Sequence, residues 1–138
     1  MKKLFFAFAL LLFSICSYSQ TNLKYKTTKV LVSVADKAGK MSDYKEIPNG
    51  EDILIVFLYA EKRITIYETP KQIFSVYNTT MDEKTSNDFK TIVHDVVDEN
   101  GKECQVVLTI PKQGKAGMAM TIMRNGYEKM YVTQRVIE

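Results

Sequence analysis

The sequence predicts an all-β fold, mainly antiparallel: about eight strands in a meander that closes into a small lipocalin-like barrel or half-barrel, with a two-sheet sandwich as the alternative. Three observations carry this. Apolar residues recur at every second position in several segments, Asn-Gly pairs stand at 100–101 and 125–126 between such segments, and tight turns join most of them. Strand count and turn spacing alone support the barrel, for no lipocalin sequence motif is present.

The first strand is residues 23–34 (LKYKTTKVLVSV), which end in the alternating Val30, Val32 and Val34. Residues 36–50 then form a polar loop with two glycines and Pro48, with weak helical material in SDYKEI. Residues 52–59 (DILIVFLY) are a continuous apolar run of strand length, and 63–68 (RITIYE) alternate again. A two-residue turn at Glu61-Lys62 would set Phe57 opposite Ile66, Tyr59 opposite Ile64 and Tyr67 opposite Val56. Thr69-Pro70-Lys71 turns the chain into 72–77 (QIFSVY), followed by a polar loop at 78–88.

Residues 89–97 (FKTIVHDVV) fit helical spacing, yet five of the nine are β-branched and Asn100-Gly101 leads into the alternating 104–110 (CQVVLTI), so they are assigned as a strand. The last hairpin joins 118–124 (MAMTIMR) to 127–136 (YEKMYVTQRV). A three-residue loop ending at Gly126 sets Met120 opposite Met130 and Met118 opposite Val132. That register keeps apolar residues together and is preferred over the two-residue loop, which sets Ile122 opposite Lys129.

The amino terminus reads as a cleavable signal peptide over residues 1–19: Lys2 and Lys3, an apolar run from Leu4 to Ile15, and the exit Ser17-Tyr18-Ser19, with cleavage before Gln20. Twelve apolar residues make about 18 Å of helix against about 30 Å of hydrocarbon core, too short for a stable membrane anchor. Ile15 before Cys16 argues against lipidation. Removing 19 of 138 residues leaves a single β domain at 20–138. It takes two lysines and no acid from 19 basic and 16 acidic residues, so the net charge falls from +3 to +1. Interspersed, nearly balanced charge argues against nucleic acid as a partner. Cys104 is then the lone thiol, so no intramolecular disulfide holds the fold. The expected location is the periplasm or the extracellular medium.

The run ITIYETPKQIFSVY, followed by DENGKECQVVL, resembles a pattern in small exported bacterial β-proteins of uncharacterised function. The resemblance spans residues 63–108. It implies a fold, and no functional residue is carried over from it.

Few residues suggest chemistry. His94 and Cys104 would share a face if the 97–102 turn is a three-residue loop ending at Gly101, but no orienting carboxylate or oxyanion hole accompanies them, and a free cysteine ordinarily serves as a small buried apolar residue. Met118 and Met120 share a face and offer soft thioethers suited to Cu(I), but Met123 points away, so no metal site is assigned. Asp82, Glu83 and Asp88 lack calcium-loop spacing. No cofactor is implied.

The sequence therefore points to a non-enzymatic exported binding protein. Phe57, Tyr59, Ile64, Ile66, Met118, Met120 and Met130, with Ile122 and Val132, would line a barrel interior that holds a small apolar ligand. The alternative is a protein-interaction module that meets an envelope protein through a sheet face bearing tyrosines such as Tyr67, through an edge strand, or through the loops at 36–50 and 78–88.

Overall fold

The computed structural model describes residues 22–112 and 117–136; the expected signal peptide lies outside them. Eight antiparallel strands close into a barrel: β1 (Leu23–Val34), β3 (Leu54–Leu58), β4 (Arg63–Tyr67), β5 (Gln72–Asp82), β6 (Phe89–Asp98), β7 (Glu103–Pro111), β8 (Gly117–Arg124) and β9 (Tyr127–Arg135). Each pairs with the next, and β9 closes the circuit against β1 from Tyr25↔Arg135 to Val34↔Tyr127. The short β2 (Lys45–Glu46) pairs with Leu31 and Val32 of β1 outside this circuit. All eight predicted strands are present in a closed barrel, which decides against the sandwich and the half-barrel. Closure leaves no long free edge to be satisfied by another chain along most of the circuit.

The inner face is apolar because alternate residues point the same way along each strand. Val30, Ile55, Ile66, Val96, Val106 and Met120 are completely buried. The outer face carries Lys26, Lys29, Arg63, Asp95, Glu103 and Glu128 among its residues, interspersed with apolar ones such as Leu54, Val97, Val107 and Met130. No helix among the described residues is long and apolar enough to cross a membrane.

Polar side chains close one end of the interior, here called the upper end. Glu68, just past β4, accepts hydrogen bonds from Lys129 Nζ (3.1 Å to each carboxylate oxygen), from the Tyr131 hydroxyl (2.7 Å) and from Gln72. Beside them Arg124 donates to Asp98 at 3.0 Å and lies over the ring of Phe74. This cluster explains the register of the last hairpin. The turn is two residues long, with Arg124↔Tyr127, Ile122↔Lys129 and Met120↔Tyr131, and Gly126 takes φ +74°. The three-residue register expected from apolar matching is therefore wrong. Lys129 points inward because Glu68 neutralises it, and Met130 points outward, opposite Thr121 and Leu31.

Two other expectations are corrected. β3 ends at Leu58, a single 3-10 turn occupies Tyr59–Glu61, and Lys62 takes φ 51° to restart the chain. The register is consequently Phe57↔Ile64 and Ile55↔Ile66, with Tyr67 opposite Leu54 rather than Val56. A shift of two residues preserves the faces, so the apolar wall survives. The expected loop at 78–88 is strand as far as Asp82, paired with β6 through Asp82↔Thr91. The segment 36–50 contains β2 and a bridge between Ala35 and Met41. The β6–β7 turn does have the three-residue form, and Gly101 at φ +78° sets His94 opposite Val106.

Candidate functional site

The lower end of the barrel is built differently from the upper. β4 begins at Arg63, whereas β5 runs on past its last partner there: Arg63↔Ser75 is the final pair, followed by one backbone bond from Val76 N–H to the Lys62 carbonyl at 2.8 Å. From Asn78 to Asp82, β5 pairs with β6 but with no described strand on its other side. A bulge between Val76 and Asn78 inserts Tyr77 as an extra residue. It re-aims the strand so that Thr79, cross-strand partner of His94, takes the inward position that simple alternation would give Asn78.

A pocket of about 310 Å³ occupies the resulting gap in the wall. Phe57, Ile64 and Val76 form its apolar side, with Tyr59 from the 3-10 turn, and Thr79 and His94 bring polar atoms. Phe57 is held between two tyrosines, edge-on to Tyr25 at 5.7 Å and stacked with Tyr59 at 6.0 Å between ring centroids. Such ring contacts hold the apolar side of the pocket in shape without a ligand. Lys62 and Arg63 stand at the rim, where Arg63 is paired with Glu61 at 3.3 Å.

His94 is the chemically distinctive member of the wall. It is 6% exposed, and its Nδ1 lies 2.8 Å from the Thr79 hydroxyl. Burial lowers its pKa, because the charged imidazolium loses more hydration than the neutral ring. Cys104 shares its face but forms no hydrogen bond with it among the described residues. Burial also raises the Cys104 thiol's pKa, partly offset by Arg124, which leaves it protonated and a poor nucleophile. No group of three or more His, Cys, Asp or Glu among the described residues could hold a metal ion.

Of the interior residues predicted to contact a ligand, Phe57, Tyr59 and Ile64 line the pocket. Ile66, Met118 and Met120 are instead packed in the closed core at 5% exposure or less, and Met130 is on the outer face. Val76, Thr79 and Lys62 were not singled out from the sequence. Val76 alternates regularly with Phe74, whereas the places of Thr79 and Lys62 depend on the bulge and on a left-handed backbone, neither of which leaves a mark in hydrophobic periodicity. His94 was singled out, but beside Cys104 rather than beside Thr79.

Compared with known proteins, the chain matches no family model, no curated protein and no solved structure.

Proposed function

We propose that this chain is an exported, non-enzymatic binding protein that carries a small, largely apolar ligand in the lower mouth of its barrel. The observation that carries the proposal is the pocket itself: an apolar wall of Phe57, Ile64 and Val76 with a few convergent polar atoms, the composition typical of small-molecule sites. Its 310 Å³ corresponds to roughly ten non-hydrogen atoms at about 30 Å³ each. The ligand is therefore smaller than one filling a whole barrel, since the core above the pocket is packed with side chains. Export rests on the leader-like first 19 residues. Charged side chains spread over the outer face suit water around the barrel.

Titration calorimetry with 1-octanol tests the proposal. Wild-type protein should bind it, and Val76→Trp, which fills the pocket while leaving the upper core untouched, should not. Equal binding by both proteins, or by neither, contradicts the pocket as the site.

One observation favours a second reading, an interaction module for an envelope protein. The unpaired stretch of β5 from Tyr77 to Asp82, with Tyr77 and Met81 more than half exposed, could accept an extended segment of a partner as an added strand. That reading predicts capture of a partner that is lost in Met81→Lys, because a lysine on a strand edge opposes strand addition.

A further inference from the structure

We infer that the mouth pocket takes an amphipathic monocarboxylate, its apolar body against Phe57, Ile64 and Val76 and its acid group held by His94 and Lys62. The inference rests on the carrier reading and adds the charge and chemistry of the head group.

Three features of the lining select an anion. First, among the described residues the side chains around the pocket include Lys62, Arg63 and His94 but no aspartate or glutamate. Second, Arg63 is neutralised by Glu61, while Lys62 has no ion-pair partner among the described residues. One uncompensated positive charge matches a single negative one. Third, His94 presents an unused nitrogen. Its Nδ1 is engaged by Thr79, and its Nε2 has no hydrogen-bond partner among the described residues. His94 as a whole is 6% exposed and lines the pocket, and we place its Nε2 toward that opening.

The Thr79 contact also sets what that nitrogen can do. Burial keeps the imidazole neutral, and a neutral ring has one N–H. When the Thr79 hydroxyl donates to Nδ1, the ring proton stands on Nε2 and is offered to an acceptor oxygen in the pocket. A carboxylate uses both groups at once, accepting from His94 Nε2–H and pairing with the Lys62 ammonium at the mouth. Lys62 reaches this place only because the chain takes φ 51° there, a conformation in which a side chain other than Gly, Asn or Asp is uncommon.

The test compares octanoate with 1-octanol by titration calorimetry on the protein expressed from its full chain. Octanoate should bind wild-type protein about tenfold more tightly, the effect of one charge-assisted contact. That preference, read as the ratio of octanoate to 1-octanol affinity within each variant, should vanish in Lys62→Met, an exposed turn position, and in His94→Phe. His94→Gln, which keeps an N–H donor, should restore part of it. Equal affinity of wild-type protein for acid and alcohol overturns the anionic head group and leaves the carrier reading standing. Binding of neither overturns both. A preference that persists in Lys62→Met and His94→Phe overturns the assignment of these two residues.

Discussion

His94 couples the pocket to pH. Its folded pKa lies below the ordinary 6.5, so the unfolded chain takes up a proton that the buried ring resists. Stability therefore falls as pH drops through about 6.5 and levels off below the folded value, with a slope of at most about 1.4 kcal/mol per pH unit. Urea unfolding at about pH 7.5 and pH 5.5 should show this loss in wild-type protein and a flatter response in His94→Gln. The carboxylates of Asp95 and Asp98 are depressed, chiefly by the Asn78 side chain and the Lys102 backbone N–H respectively, so their contribution disappears in a separate window, below their ordinary 3.8. At the other end of the barrel Gly50 is a packing residue. A Cβ placed on it would stand 2.8 Å from the Val30 backbone nitrogen and 2.9 Å from Val30 Cβ, while its carbonyl accepts a hydrogen bond from the buried Thr27 hydroxyl. Gly50→Ala should cost about 2 kcal/mol in the same assay, the typical penalty of overpacking; an unchanged midpoint would show that the loop yields.

Among the elements, β4 and β9 are not neighbours in the sheet, yet Glu68 ties the end of one to the inner face of the other. Burial and the Glu68 carboxylate push the Tyr131 phenol far up, so it stays protonated and donates. Glu68→Leu would leave Lys129, only 17% exposed in its side chain, without its counter-charge. The expected loss is about 3 kcal/mol, measured by urea denaturation; a loss under about 0.5 kcal/mol would place the Glu68–Lys129 pair among ordinary surface ion pairs.

The same cluster marks the limit of what the sequence could tell. Alternation, strand-length apolar runs and β-branched content between turn signals together located all eight barrel strands. Register was narrowed only to two alternatives at Gly101, where the structure takes the three-residue turn with the glycine at φ +78°. It was not legible at Gly126, where the correct pairing buries Lys129 and is stabilised by Glu68, 61 residues away in the chain. Within the candidate site, Phe57 and Ile64 followed from their apolar runs, whereas Thr79 depended on a bulge and Lys62 on a 3-10 turn, both products of tertiary closure.

At the scale of the whole molecule, a closed barrel with a packed upper core and a gap beside β5 places the proposed ligand at one end. The proposed ligand is a small amphipathic molecule held at this end. Native mass spectrometry of the protein released gently from the cell envelope of its host tests this. The expected species is the polypeptide beginning at Gln20 together with an adduct of roughly ten non-hydrogen atoms, absent from Val76→Trp. Bare polypeptide in both proteins, or the same adduct on both, would contradict it.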